Sequence, residues 1–128
     1  MAQYKERIAD KLLEYRLEEM GAVLIEGPKW CGKTTTAEQH AGSVVFLSDP
    51  EMKRQYLQLA ETNSTLILEG AVPRLIDEWQ VIPMLWDAVR HTVDRRREVG
   101  QFILTGSAVP PGRDSFTHTG TGRFAWLT

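Results

Sequence analysis

The segment at residues 27–34 constrains this chain more than any other, because it matches the phosphate-binding loop pattern G-x-x-x-x-G-K-[ST]. In such loops backbone N–H groups surround the phosphates, the lysine reaches the β- and γ-phosphates, and the hydroxyl ligates Mg²⁺. Lys33 is therefore also a catalytic candidate. The residues predicted to bind the nucleotide are Gly27, Pro28, Lys29, Trp30, Cys31, Gly32, Lys33, Thr34 and Thr35.

The neighbouring segments support this interpretation. Residues 22–25 are a short apolar run typical of a buried strand, and residues 34–41 have the composition of a helix that the loop opens. Strand, loop and helix follow one another in the order that the phosphate-binding mechanism requires. The free N–H groups and partial positive charge at a helix N-terminus suit a polyphosphate.

Length and composition set the broad class. A chain of 128 residues with 42% hydrophobic content predicts one globular domain covering residues 1–128. The formal net charge of −2 gives no general attraction to nucleic acid or to an anionic membrane. The single cysteine, Cys31, cannot form an internal disulfide, the first twenty residues show no apolar segment typical of a signal peptide, and no apolar run is long enough to predict a membrane span. These features predict a cytoplasmic protein with no membrane segment.

The order of predicted elements indicates the fold. Four apolar runs predict strands, at residues 22–25, 44–47, 102–105 and 123–127, and residues 73–78 run from apolar positions into two acids as a further strand would. Helices are predicted at residues 3–20, 34–41 and 83–99, and a further helix is predicted to start at the capping sequence of residues 48–51 and to end near Asn63. Residues 65–68 fit either a short strand or a last apolar turn, and residues 108–122 a long loop.

Apolar strands that alternate with helices predict a parallel sheet covered on both faces. The expected fold class is α/β: a three-layer phosphate-loop NTPase core with a mostly parallel five-stranded sheet. Because the sequence stops at a strand with no closing helix, we expect the chain to be part of a longer protein.

The consecutive acids Asp77 and Glu78 form the second constellation. An acid at the end of an apolar strand can hold Mg²⁺ together with the loop hydroxyl, here Thr34. Glu78 is then the candidate base that polarises the attacking water. Taken alone, the pair is equally well explained as two solvated acids at a strand end.

Three more residues lie near this predicted edge. Thr105 ends the predicted strand at residues 102–105, and Ser107 follows it, where a hydroxyl can sense the γ-phosphate or the attacking water, although Gly106-Ser107 is also ordinary turn chemistry. Arg123 is either an arginine finger that completes a neighbouring subunit's site or a phosphate or carboxylate partner within its own chain. Residues 95–97, three arginines, fit a solvated helix face better than a nucleic-acid surface.

Taken in order, these motifs resemble a known family. The phosphate loop, the segment R-L-I-D-E-W-Q at residues 74–80, F-I-L-T-G-S-A at 102–108 and G-T-G-R at 120–123 resemble the predicted bacterial and archaeal ATPases of the AAA+ superfamily. The resemblance implies ATP binding through Lys33 and Thr34, Mg²⁺ held by Thr34 and Asp77, and water activation by Glu78. It also implies sensing near Ser107 and a homo-oligomer in which Arg123 acts in trans.

Members of that family continue well beyond the length of this chain. We therefore expect the helical lid and the C-terminal domain of uncharacterised function to be missing here. The expected function is an ATPase domain that uses Mg-ATP hydrolysis to drive conformational change in attached parts or in an unknown protein partner. Two alternatives stay open, namely a nucleotide-dependent switch or binding module with little hydrolysis, and a phosphate-loop kinase. An N-K-x-D guanine signature is absent, which disfavours a GTPase.

Overall fold

The computed structural model describes residues 8–26, 33–106 and 124–127. Helices and strands alternate along the chain, as the apolar pattern predicts. The elements are α1 (Ile8–Glu19), β1 (Ala22–Glu26), α2 (Lys33–His40), β2 (Ser43–Phe46), α3 (Lys53–Asn63), β3 (Arg74–Asp77), α4 (Leu85–Arg96), β4 (Phe102–Gly106) and β5 (Phe124–Leu127). Two 3₁₀ turns, at Ser64–Leu68 and Trp79–Val81, flank β3.

The described strands form one five-stranded sheet in the order β2-β3-β4-β1-β5. Every neighbouring pair runs parallel. All five carboxyl ends therefore meet at the same edge, which in open α/β sheets is the edge that binds ligands. The expected α/β class with a parallel sheet is confirmed.

Each face of the sheet packs against its own group of helices, because successive strand residues point to opposite faces. Ala22 and Leu24 join a core with α4 and the two 3₁₀ turns, whereas Val23 and Ile25 join a second core with α1 and α2. The strand residues in these cores are almost completely buried. The result is the three-layer arrangement that the uninterrupted apolar strands predict. Among the described residues, no helix is both long and apolar enough to cross a membrane.

The structure decides between the two alternatives for residues 65–68, and two helices differ in detail from the sequence expectation. Residues 65–68 form a 3₁₀ turn, which begins where the Asn63 side chain accepts the N–H of Thr65. Helix α3 begins at Lys53 with no side-chain cap, and Asp49 instead accepts the N–H of Glu51 in the preceding turn. Helix α4 ends at Arg96, because Arg97 adopts a left-handed conformation. The predicted start of α1, before residue 8, lies outside the described residues.

The amino-terminal end of β3 is fixed by Arg74. Its Nε donates to the carbonyl of Ile67 at 2.7 Å, and its Nη1 donates to Ser43 Oγ at 3.0 Å. Ser43 Oγ in turn donates to the carbonyl of Ala71 at 2.6 Å. Burial lowers the pKa of the Arg74 guanidinium, and the nearby Tyr56 and Glu69 act in the opposite direction. Strand β3 is thus anchored to β2 and to the preceding loop at the end opposite to its two acids.

The approach of α4 to the start of β1 requires glycine at position 21. A Cβ on Gly21 would overlap Cγ1 of Val93, a β-branched side chain with little rotamer freedom. We expect Gly21→Ala to lower the free energy of unfolding by about 1–3 kcal/mol, measured by urea denaturation. In a Val93→Ala background the additional cost of Gly21→Ala should fall below about 1 kcal/mol. Equal costs in both backgrounds would contradict this packing.

Candidate functional site

The register of the three central strands brings the sequence motifs to one edge. On one side of β4, Thr105 is paired with Ile25 of β1, and Gly106 with Glu26. On the other side, Leu104 is paired with Ile76 of β3, so Asp77 follows at the level of Thr105. The end of β1, which leads into residues 27–34, and the end of β3, which carries the acids, therefore lie on either side of the end of β4.

Thr105 connects the two acids through its hydroxyl group. Thr105 Oγ1 donates to Asp77 Oδ1 at 2.6 Å and accepts the backbone N–H of Glu78 at 3.2 Å. The Thr105, Asp77 and Glu78 residues are 0%, 7% and 3% exposed. Because buried polar groups are costly without partners, these bonds are a condition for placing the acids inside the protein.

Glu78 has an unusual backbone conformation. Its φ of 59° and ψ of 54° lie in the left-handed region, which costs a non-glycine residue about 1–2 kcal/mol. The turn ends β3 and starts the 3₁₀ turn at Trp79–Val81. Gln80 Nε2 donates to Glu78 Oε2 at 2.9 Å, so that the carboxylate is held as well as the backbone. Backbone strain of this kind occurs preferentially at functional sites.

Gly106 allows the turn after Glu78 to pack directly on β4. A Cβ at this position would lie 2.6 Å from Trp79 Nε1 and 2.8 Å from Gln80 Oε1. Trp79 is 1% exposed and packs against Trp86, with ring centroids 5.2 Å apart. The end of β4 therefore contacts the turn at Glu78 in two ways. Thr105 forms hydrogen bonds through its hydroxyl group, and Gly106, which has no side chain, leaves space for Trp79 and Gln80.

The phosphate-loop candidates are described only at their helical end. Helix α2 begins at Lys33, and its Thr36 and Ala37 are buried against the sheet while Thr35 is exposed. The C-terminal end of α2 contacts α1 through His40 and Glu14, whose Nδ1 and Oε1 lie 3.6 Å apart. The following candidates lie outside the described residues, as do the side chains of Lys33 and Thr34: Gly27, Pro28, Lys29, Trp30, Cys31, Gly32, Ser107 and Arg123.

One carboxylate at this edge, that of Asp77, could serve as a ligand of a magnesium ion. Within the described parts of the chain, no three His, Cys, Asp or Glu residues come together as a metal-binding group. Mg²⁺ is usually held by one or two carboxylates together with substrate phosphates and water. The Asp77 carboxylate, which Thr105 orients at the ligand-binding edge of the sheet, is a suitable metal ligand of this type.

Two arginines of α4, Arg90 and Arg96, make contacts within the described structure. Arg96 Nη1 donates to Gln101 Oε1 at 3.0 Å, and its guanidinium lies over the ring of Phe102, 5.6 Å from the centroid. Arg90 pairs with Asp87 at 3.0 Å on the same helix. These contacts agree with the interpretation of a helix face and add no support for nucleic-acid binding.

Sequence reasoning assigned no role to Gln80 or Gly106 and did not identify the two hydrogen bonds of Thr105. A glutamine two residues after a candidate base was the available signal for Gln80. The role of Gly106 and the hydrogen bonds of Thr105 depend on which strands are neighbours in the sheet, and Thr105 and Asp77 are 28 positions apart in the chain.

A protein-family model matches most of the chain. The family model described as AAA domain matches residues 19–128, which include all the candidate site residues. No curated protein matches the chain.

Proposed function

The chain belongs to the AAA domain family, a family of nucleotide-binding domains of the ATPase type, and from that premise we propose that it binds Mg-ATP and hydrolyses it. The observation that carries the proposal is the position of Asp77 and Glu78. Both are buried, hydrogen-bonded and one strand away from the end of β1. Consecutive acids held in this way at the edge of a parallel sheet suit metal binding and water activation better than a solvated surface pair.

The phosphates would be bound by residues 27–35. In this proposal the backbone N–H groups of that segment contact the phosphate oxygens, and Lys33 neutralises charge on the β- and γ-phosphates. The start of α2 at Lys33, seven positions after the end of β1 at Glu26, supports the proposal, because the pattern requires a strand before the loop and a helix after it.

Asp77 and Thr34 would hold Mg²⁺, which supplies neutralisation of phosphate charge when it is bound. Glu78 would act on the water. Its carboxylate accepts a proton as the water oxygen forms a bond to the γ-phosphorus, while the bond between that phosphorus and the leaving oxygen of ADP breaks. The electron pair of the broken bond remains on ADP, and the glutamic acid then loses its proton to solvent. Gln80 holds the Glu78 carboxylate by one oxygen, Oε2.

Ser107 and Arg123 complete the proposal. Ser107 would sense the γ-phosphate from the segment directly after β4. Arg123 would contribute positive charge to the site of a neighbouring copy, and the hydrolysis cycle would drive a conformational change in an attached domain or partner.

Binding is tested by the thermal stability of the chain with and without nucleotide. Mg-ATP at about one hundred times its Kd should stabilise the fold by about 2.7 kcal/mol and raise the Tm by about ten degrees. Lys33→Ala should abolish the rise, because the charge partner of the phosphates is lost. Lys53→Ala is the matched control, since Lys53 is exposed and is also the first residue of a helix. An unchanged rise in Lys33→Ala would remove Lys33 from the site.

A further inference from the structure

The hydroxyl group of Thr105 is fully engaged inside the protein. A threonine hydroxyl has one proton to donate, and Thr105 donates it to Asp77 Oδ1 at 2.6 Å. The oxygen also accepts the N–H of Glu78 at 3.2 Å. The residue is completely buried. In this arrangement Thr105 has no proton left to donate to a phosphate or to a water molecule, which argues against the sensing role that its position in the sequence suggests.

The two bonds of Thr105 act on different parts of the acid pair. One reaches the side chain of Asp77, and therefore sets the direction of the candidate magnesium ligand. The other reaches the backbone of Glu78, where it satisfies a buried N–H group in a left-handed turn. A buried N–H without a partner is costly, so the loss of this bond would disfavour the strained conformation itself.

Loss of the Thr105 hydroxyl would therefore affect both acids at once. Asp77 would lose the donor that orients Oδ1, and the Glu78 turn would lose the acceptor that stabilises it. Gly106, the next residue, leaves the space in which Trp79 and Gln80 pack. The effect of Thr105 on the reaction would pass through these residues and not through contact with the nucleotide.

We propose that Thr105 is a positioning residue whose single hydroxyl group orients the metal-binding carboxylate of Asp77 and, at the same time, holds the backbone of Glu78 in its left-handed turn. This inference rests on the proposed function, in which Asp77 binds Mg²⁺ and Glu78 activates water. It assigns to the end of β4 the task of keeping the two acids in a fixed relative orientation.

The experiment compares Thr105→Val, which removes the hydroxyl but keeps the β-branched shape, with Thr105→Ser, which keeps the hydroxyl. The Mg²⁺ concentration that gives half of the ATP-dependent rise in Tm is measured for each variant, together with kcat for phosphate release. We expect Thr105→Val to raise that Mg²⁺ midpoint by about 10–100-fold and to lower kcat as well, as loss of an orienting partner does at other metal sites. Thr105→Ser should stay within a few-fold of the wild type in both measurements. Thr105→Ala replaces Thr105→Val if the valine variant does not fold.

A second measurement needs no nucleotide. Urea denaturation of Thr105→Val, Asp77→Ala and the double variant should show non-additive effects of about tenfold in the unfolding equilibrium constant, because each single change breaks the same bond. Additive effects, or a Thr105→Val protein whose kcat falls while its Mg²⁺ midpoint stays at the wild-type value, would overturn the positioning role. A wild-type chain that shows no ATP-dependent rise in Tm would instead contradict the proposed function, and the urea measurement would still test the bond to Asp77.

Discussion

Replacement of Glu78 by Gln is expected to lower the rate of ATP hydrolysis by about 10²–10⁴-fold, because an amide cannot take the proton of the attacking water. The amide has nearly the size of the carboxylate, and its oxygen can still accept the hydrogen bond from Gln80 Nε2. Binding of Mg-ATP should therefore change little. The rate is measured as phosphate release at saturating Mg-ATP, and binding as the rise in Tm.

Glu61→Gln provides the matched control, since Glu61 is an exposed glutamate on α3. It should leave both measurements at the wild-type level. If the wild type already releases phosphate at a negligible rate and Glu78→Gln changes nothing, the chain is a nucleotide-dependent binding module. If Glu78→Gln abolishes the rise in Tm as well, Glu78 contributes to binding and its assignment as the base is wrong.

Replacement of Trp79 by Ala is expected to lower the free energy of unfolding by about 3–5 kcal/mol, which is typical for the loss of a large buried aromatic side chain. Trp79 is 1% exposed, lies in the larger core and packs at an interplanar angle of 48° on Trp86. A domain is commonly stable by only about 5–15 kcal/mol, so this one change removes a large part of the total. Urea denaturation followed by far-UV circular dichroism measures the loss.

Trp79→Phe keeps an aromatic ring in the same space and should lose clearly less stability than Trp79→Ala. Trp79 Nε1 has no hydrogen-bond partner in the described structure, so replacement of the indole by a phenyl ring breaks no described hydrogen bond. A loss below about 1 kcal/mol for Trp79→Ala would show that the turn after β3 can be repacked without this ring.

Four of the five described strands, β1, β2, β4 and β5, could be predicted because each contains a continuous apolar run. Residues 22–25 and 102–105 belong to strands buried on both faces, and this burial is what an uninterrupted hydrophobic sequence indicates. The same signal was ambiguous for residues 65–68, since four apolar residues also fit the 3₁₀ turn that the structure has. The Asn63 cap that favours the turn is a local contact that periodicity does not report.

The candidate site was predictable as a set of residue types but not as a geometry. The order of residues 27–34, Asp77 and Glu78 in the sequence indicated which chemistry to expect. The left-handed conformation of Glu78 had no sequence signal, because glycine is the residue that normally marks it. The contacts of Gly106 with Trp79 and Gln80 depend on long-range packing, which a single sequence does not encode in any local pattern.

Strand β4 has a geometric consequence of its own, because it lies between β1 and β3. Adjacent strands are about 4.8 Å apart, so the backbones of β1 and β3 are separated by about 10 Å, the width of one intervening strand. The backbone hydrogen bonds of β4 with β1 and with β3 maintain this distance, so substitution of a side chain at the end of either outer strand leaves it unaltered. A ligand that contacts the carboxyl ends of both β1 and β3 must be long enough to extend across β4. The strand order therefore restricts the length of the ligand, independently of the charges of the side chains that bind it.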